Sequence, residues 1–275
     1  MAVLKALRQT PSALQRNPIL FVPVLVILVF QVPQLVLQAV DPLLASLVSF
    51  AFSILFVFVL PFFQGGIVAM ADEALDGQTS LDSFVDAGRS NYVSLLVAYF
   101  VVLAVNFAIG IVVFFAAIPV GAAFLADLGG SVGLAVLVVA GLILLLVGLV
   151  YLLFLFFVQF YGQAIVIDDL GAVKGLTHSV TVVRHNLAST LGYTVLVGIL
   201  GGLAGAVFAV PSVLGSPQTT SAFSLPQLSV VATTGATVVA VALGTLFGGF
   251  FSIYSVAFYR RINPEPERVS DNGNQ

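Results

Sequence analysis

Six long, uninterrupted apolar stretches divide this sequence and limit what it can fold into. They run over residues 18–40, 43–71, 92–125, 132–167, 187–214 and 228–259. A helix needs about 20 apolar residues to cross a bilayer core of about 30 Å. The stretches are continuous rather than alternating, which excludes the strands of a membrane β-barrel. We therefore predict an all-α integral membrane bundle of six transmembrane helices.

Composition excludes the other broad classes of protein. Only 8% of the residues are charged and 60% are hydrophobic, whereas about 25% of the residues in a soluble domain are charged. Cysteine is absent, so disulfides, thiolate chemistry and Cys-ligated metals are excluded as well. The chain must bury its surface in lipid rather than in a soluble core.

The basic residues predict the orientation of the bundle. All nine lie before the first stretch, between stretches two and three, between four and five, or after the sixth: Lys5, Arg8, Arg16, Arg89, Lys174, Arg184, Arg260, Arg261 and Arg268. The opposite loops contain Asp41 and Asp127 but no Lys or Arg. Because Lys and Arg are enriched in cytoplasmic loops, we predict a multi-pass protein of the cell membrane with both termini in the cytoplasm.

An internal duplication is predicted from an ungapped alignment of residues 64–110 with residues 159–205. It matches Gln64 with Gln159, Arg89 with Arg184 and Asn91 with Asn186. A looser third copy begins the chain, where Arg16 and Asn17 precede the first stretch. We therefore predict three helical hairpins, each preceded by a cytoplasmic amphipathic helix, in a membrane domain over residues 1–262. Residues 263–275 are predicted to form a polar, disordered cytoplasmic tail.

The segments that precede the hairpins have the pattern of amphipathic helices. Apolar residues recur at helical spacing in the second (Leu81, Phe84, Val85, Tyr92) and in the third (Val173, Leu176, Val180, Val183). Such a helix buries its apolar face at the membrane interface or against the bundle. An Arg near its end reaches headgroup phosphates, and the Asn caps the turn into the span. The predicted interfacial anchors are Arg16, Asn17, Arg89, Asn91, Arg184 and Asn186; the alternative is a surface for a partner or ligand.

One run carries a resemblance to a known group of proteins. Residues 164–191 read AIVIDDLGAVKGLTHSVTVVRHNLASTL, which is the end of a span, an acidic turn and an amphipathic helix closing on Arg-x-Asn. This run resembles uncharacterised polytopic membrane proteins common in haloarchaea, which look related to the membrane domain of bacterial glycerophosphoryl diester phosphodiesterases. The catalytic domain of those enzymes is missing here. The resemblance therefore implies a membrane domain of unknown role, and no esterase activity carries over from it.

A polar stripe is the candidate for a lined pathway. Gln31, Gln34, Gln38 and Asp41 lie three or four residues apart at the outer half of the first stretch. The alternative is hydrogen bonding between helices. Glycines four apart, such as Gly244 and Gly248, predict close helix packing, within one molecule or between copies.

The sequence predicts no catalytic residue, no cofactor and no metal site. His178 and His185 are the two histidines, and a rise of about 10.5 Å separates them on a helix, which is too far for one metal to bind both. Either Asp168 or Asp169 could join one histidine, but that leaves too few ligands. Catalytic and phosphate-binding motifs are missing, and no basic patch suits nucleic acid.

The sequence leaves two functional hypotheses. The first is a non-enzymatic scaffold or lipid-organising membrane domain, whose partners are the bilayer and either another membrane protein or a second copy. The alternative is a permease for a small neutral or amphipathic solute that uses the Gln31, Gln34 and Gln38 stripe. A proton-coupled carrier is disfavoured because the middle of each predicted span lacks ionisable residues.

Overall fold

We describe a computed structural model over residues 2–40, 42–125, 130–215, 217–222, 226 and 228–263, without the side chains of 31–40 and of a few residues next to the gaps. Every regular element in this part is helical, which confirms the all-α prediction. The elements are α1 (Ala2–Arg16), a 3-10 turn (Pro18–Leu20), α2 (Phe21–Val40), α3 (Pro42–Asp76), α4 (Leu81–Ser90), α5 (Tyr92–Leu125), α6 (Gly130–Val158), α7 (Tyr161–Ile167), α8 (Ala172–His185), α9 (Leu187–Gly215), α10 (Pro217–Ala222) and α11 (Val230–Ile262). The predicted tail lies outside the described residues beyond Asn263.

Five of these helical segments are long and apolar enough to cross a bilayer, and a sixth crossing is counted if α1 and the start of α2 form one bent span. The membrane bundle is thereby confirmed by length and composition. The bend between α1 and residues Pro18–Phe30 is 94°, so α1 turns away from α2 rather than extending it. The predicted fourth span, 132–167, is two helices, because the α-helix is interrupted at Gln159 and Phe160.

The amphipathic helices α4 and α8 fold back along the ends of the helices that precede them. In the α3/α4 pair, Gly66 lies against Phe84 and Gly88 against Phe62. This pairing, in which the numbers on α3 rise as those on α4 fall, is antiparallel. Helix α8 likewise packs antiparallel to α6 and α7, since Gly175 lies against Ile165 and Ser179 bonds to Phe157 and Phe160. Phe84 of α4 and Val183 of α8 are thereby buried against protein, whereas Leu81 and Val173 stay exposed. The bundle therefore covers part of each apolar face.

Helix α1 takes the corresponding place on α11. Ala6 is fully buried in a cluster that includes Tyr254, Phe258 and Ile262, and Leu14 packs near Gly249, farther from the end of α11. Helix α1 thus runs antiparallel to the end of α11. The first segment of the chain covers the last helix and closes the arrangement.

The ends of α3, α7 and α11 form the centre of one end of the bundle, with α1, α4 and α8 around them. We call this the basic end, after Arg89, Arg184 and Arg260. Its three central helices are joined by polar contacts. Tyr161 Oη donates to Gln64 Oε1 at 3.2 Å between α7 and α3, and Gln163 Nε2 donates to Ser255 Oγ at 3.0 Å between α7 and α11.

The glycines spaced four apart on α11 form close contacts with other helices of the same chain. A Cβ built on Gly244 would meet the ring of Phe208, and one on Gly248 would meet Val24. The prediction of close packing is confirmed for this pair, on helices of the same chain. In contrast, Gly198 and Gly202 on α9 face open space within the described residues.

Helix α4 begins at a side-chain cap. Thr79 and Asp82 have the spacing of a capping box, but the N-cap is Ser80, whose Oγ accepts from the Ser83 backbone N–H at 3.2 Å. Thr79 instead donates from its hydroxyl to Glu73 Oε2 at 2.8 Å. The turn between α3 and α4 is therefore closed onto α3.

Gly66→Ala should separate α4 from α3. A Cβ at Gly66 would lie 2.5 Å from the Phe84 carbonyl oxygen, and backbone cannot rotate away as a side chain does. We expect the free energy of unfolding to fall by about 1–2 kcal/mol through overpacking, measured by denaturant titration in mild detergent. Gly110→Ala is the control, because Gly110 faces open space on α5 and Ala favours helix; equal losses in the two variants would contradict the close contact.

Candidate functional site

The three predicted anchor asparagines make the same local hydrogen bond. Each side-chain amide donates to the carbonyl four residues earlier: Asn17 to Ala13 at 3.0 Å, Asn91 to Ala87 at 3.1 Å and Asn186 to Val182 at 3.0 Å. Carbonyls in the last turn of a helix commonly lack backbone partners, although Ala87 O also accepts from the Asn91 backbone N–H. Each Asn side chain thus caps the end of the amphipathic helix before it, rather than the start of the span after it.

Two of these asparagines, each at the start of a hairpin, also form hydrogen bonds with the end of the second helix of that hairpin. Asn17 is 2% exposed, donates to Gly77 O at 3.0 Å and accepts from the Thr79 N–H at 2.9 Å. Asn186 donates to Ile262 O at 2.9 Å. The first bond joins the start of the first hairpin to the end of α3, and the second joins the third hairpin to the end of α11.

The three predicted anchor arginines are exposed, and their surroundings differ. Arg16 Nε donates to Ser12 O of its own helix at 3.3 Å. Arg89 borders a groove of about 470 Å³ that is otherwise lined by Phe58, Val59, Phe62, Phe63 and Tyr92. Tyr92 Oη donates to Phe58 O at 3.0 Å, which ties the start of α5 to α3. The groove is an apolar surface with one guanidinium and one phenol at its edge.

Ser179 closes the interruption between α6 and α7. It is fully buried on α8, its hydroxyl donates to Phe157 O at 2.9 Å, and it accepts from the Phe160 N–H at 3.1 Å. These are backbone groups that a break in a helix leaves without their usual partners. The break is thus filled by a side chain of the neighbouring amphipathic helix. Sequence analysis missed this role.

Arg260 joins the ends of α11 and α3. Its Nε donates to Asp72 Oδ1 at 2.5 Å, its Nη1 to Asp76 Oδ2 at 2.9 Å and its Nη2 to the Asp72 carbonyl at 3.1 Å. Asp72 and Asp76 lie one turn apart on α3 and so present two carboxylates to one guanidinium. That spacing is visible in the sequence, but its pairing with a residue 188 positions away is not.

A second polar cluster gathers around Asp168, between α7 and α8. Its carboxylate accepts a hydrogen bond from Tyr259 Oη and bonds at 3.2 and 3.1 Å from Asn263 Nδ2. His178 Nε2 lies 3.4 Å from Asp168 Oδ2 and 3.2 Å from Asn263 Oδ1. Asp169 is exposed in the turn, with a φ of 50°. The left-handed conformation at Asp169 reverses the chain so that α8 returns along α7.

A pocket of about 500 Å³ opens beside this cluster. It is lined by Asp168, Leu170, His178, Thr181, Val182, His185, Asn186, Ile262 and Asn263. The two histidines therefore border one pocket although one metal ion cannot bind both. Within the described residues, no group of three His, Cys, Asp or Glu side chains is placed to hold a metal ion.

The predicted polar stripe is described only in its backbone. Gln31, Gln34 and Gln38 lie in α2, and their side chains, like Asp41 as a whole, are outside the described residues. The pathway and the alternative of interhelical hydrogen bonds both stay predictions.

No curated protein and no solved structure matches the chain. The predicted relation to the membrane domain of glycerophosphoryl diester phosphodiesterases, the haloarchaeal assignment and the internal duplication stay predictions. Residues 1–262 match the family model described as Domain of unknown function (DUF7847), and the chain therefore belongs to that family.

Proposed function

We propose that this protein is a non-enzymatic membrane domain that organises anionic lipid at its basic end. The observation that carries the proposal is the groove beside Arg89. An exposed guanidinium stands at the edge of an apolar surface on the outside of α3 and α5. A phospholipid presents the matching pair of groups, a phosphate above an acyl chain.

The chemistry of the groove supports a lipid rather than a soluble anion. Guanidinium binds phosphate oxygens through two parallel hydrogen bonds, and the Tyr92 phenol lies beside it. Below them, Phe58 is 47% exposed, and Phe62 and Phe63 pack against Phe84 of α4. An acyl chain would cover this apolar wall, whereas free phosphate would leave it uncovered.

The fold explains how lipid binding would be coupled to the bundle. Arg89 lies in the last turn of α4, and α4 is held against α3 by the Gly66 and Phe84 contact. The adjacent Asn91 fixes the end of α4 through Ala87 O. A lipid bound at Arg89 would therefore rest on two spans and an amphipathic helix at once.

Arg89→Glu should remove one bound anionic lipid. We expect the affinity for phosphatidylglycerol to fall about tenfold or more, because a charge-assisted pair is replaced by repulsion. Native mass spectrometry of protein released from mixed phosphatidylglycerol and phosphatidylcholine nanodiscs measures the lipid that remains bound. Arg261→Glu is the control, since Arg261 is exposed and lies at the end of α11 instead of an amphipathic helix. Unchanged lipid content in Arg89→Glu would contradict the proposal.

Arg184→Glu tests whether lipid binds at the Arg89 groove alone or at a basic surface that all the amphipathic helices share. Arg184 aligns with Arg89, but the pocket beside it is lined by His185 and Asn186 and not by Arg184. A lipid-organising surface made by all the amphipathic helices would lose lipid in both variants. Loss in Arg89→Glu alone would assign the binding to the groove.

We also propose that the basic end faces the cytoplasm with both termini, on the strength of the distribution of Lys and Arg. The chain has no cysteine, so single cysteines report topology without a background. In intact cells, the cysteine of Arg8→Cys should react only with a membrane-permeant thiol reagent. The cysteine of Asp127→Cys should also react with an impermeant reagent. The reverse pattern would invert the orientation.

The permease hypothesis receives no specific support from the described side chains. A broken span offers free backbone groups to a solute in many carriers, but here Ser179 occupies the groups at Phe157 and Phe160. Replacing Gln31, Gln34 and Gln38 by Leu and measuring uptake stays the test of that hypothesis.

A further inference from the structure

The pocket beside Asp168 differs from the Arg89 groove in the sign of its charge. Among the described residues that line it, Asp168 is the one carboxylate, and none is Lys or Arg. The Asp168 side chain is 13% exposed and lines the pocket, so its charge is largely shielded from bulk water. This end of the pocket favours a cation and disfavours a phosphate.

The polar atoms left open in the pocket are hydrogen-bond acceptors. Asn186 uses its amide group to donate to Val182 O and Ile262 O, which fixes the amide so that Oδ1 is the atom left over. His185 Nδ1 lies 2.8 Å from Thr181 O, so it carries the proton and Nε2 of the neutral ring is an acceptor. Within the described residues, neither Asn186 Oδ1 nor His185 Nε2 has a hydrogen-bond partner.

The hydroxyl and imidazole groups nearby do not reverse this character. Thr181 donates its hydroxyl proton to Thr177 O at 3.1 Å. His178 directs Nε2 at Asn263 Oδ1 and Asp168 Oδ2, so this nitrogen is not left as an open donor. The pocket thus combines one negative charge with open acceptors and an apolar wall of Leu170, Val182 and Ile262.

We infer that this pocket binds a primary ammonium group. An ammonium carries one positive charge and three N–H donors, which suits a pocket lined by the carboxylate of Asp168 and by open hydrogen-bond acceptors. A quaternary ammonium has the same charge but no N–H to donate. The carrier of the group is either a small soluble amine or the headgroup of an aminophospholipid, and both satisfy the same atoms.

The test uses ethanolamine and choline, which differ in the N–H groups of the cation. The full-length protein is placed in phosphatidylcholine nanodiscs and each probe is titrated by calorimetry. We expect ethanolamine to bind at least about tenfold more tightly than choline, since each hydrogen bond to a charged group contributes about that factor. Equal binding of the two probes, or no binding of ethanolamine, would overturn the inference.

Two neighbouring carboxylates provide a matched pair of variants. Asp168→Asn removes the charge in the pocket and should abolish ethanolamine binding. Asp169→Asn removes the same charge one residue away, from an exposed position outside the pocket, and Asn tolerates the φ of 50° found there. Equal losses in the two variants would reduce the effect to surface charge and overturn the inference.

Because Asp168 also joins Tyr259 and Asn263, its variant could fail to fold, and His185→Leu decides in that case. The described hydrogen bond of His185 stays within its own helix, so the fold should be kept while one acceptor is lost. We expect about tenfold weaker ethanolamine binding; unchanged binding in a folded variant would overturn the inference.

A further titration, in nanodiscs of a different lipid composition, distinguishes a lipid headgroup from a soluble amine as the source of the ammonium group. In nanodiscs that contain phosphatidylethanolamine, loss of ethanolamine binding would identify the lipid headgroup as the occupant. Unchanged binding would identify a soluble amine. None of these titrations depends on Arg89. If the proposal of anionic-lipid binding at the Arg89 groove fails, the result for the ammonium pocket still stands.

Discussion

Ser179→Ala is expected to lower the free energy of unfolding by about 2–6 kcal/mol, because one buried and one part-buried backbone group would each lose a hydrogen bond at a cost of about 1–3 kcal/mol. The groups are the Phe157 carbonyl and the Phe160 N–H, on either side of the break between α6 and α7. Water cannot replace the hydroxyl at a fully buried position without opening the contact. The expected consequence is release of α8 from α7.

Denaturant titration in mild detergent measures the loss, and hydrogen exchange locates it. Amides of α7 and of residues 156–160 should exchange faster in the variant, while those of α5 keep their protection. Thr177→Ala is the control: Thr177 is exposed, and its hydroxyl donates to the carbonyls of Val173 and Lys174 in its own helix. A variant at Ser179 that is as stable as the control would show that the break does not depend on the hydroxyl.

The membrane helices are predictable from the sequence because their signal is local. A run of about 20 apolar residues predicts a span without knowledge of its neighbours, and the structure places helices over all six runs. The break in the fourth run has no such signal. Gln159 and Phe160 are compatible with helix, and the hydroxyl that stabilises the interruption lies at Ser179, on another element.

The location of the amphipathic helices was equally beyond the sequence. Their periodicity predicts an apolar face, but lipid and protein are equivalent partners for such a face. The close approach of Gly66 and Phe84 shows why α4 lies on α3, since only a residue without a side chain leaves room for the ring. The exposed arginines, by contrast, follow directly from the position of Arg16, Arg89 and Arg184 on the polar face.

Arg260→Gln should lower the free energy of unfolding by about 2–3 kcal/mol, somewhat less than the 3–5 kcal/mol typical of breaking a fully buried pair. The side chains of Arg260 and Asp72 are 31% and 26% exposed, so solvent screens part of the effect. Without the guanidinium, Asp72 and Asp76 face each other one turn apart, and the Asp72 carbonyl loses the Nη2 donor.

Denaturant titration in mild detergent compares the Arg260 ion pair with the adjacent Arg261, which serves as the control. Arg261→Gln removes an adjacent exposed charge and should cost less than about 0.5 kcal/mol. Adding Asp72→Asn to Arg260→Gln should recover part of the loss, because the repulsion between the carboxylates disappears. If the double variant is as unstable as the sum of the single ones, the pair does not interact as the distances indicate.

The position of this pair gives it consequences beyond its own free energy. It joins α3, in the first hairpin, to α11, in the last, while α1 of the first segment covers the same end of α11. Both connections close the arrangement between the two ends of the chain. We therefore expect Arg260→Gln to increase hydrogen exchange in α1 as well as at the end of α3. Confinement of the change to α3 would mean that α1 holds α11 independently of the ion pair.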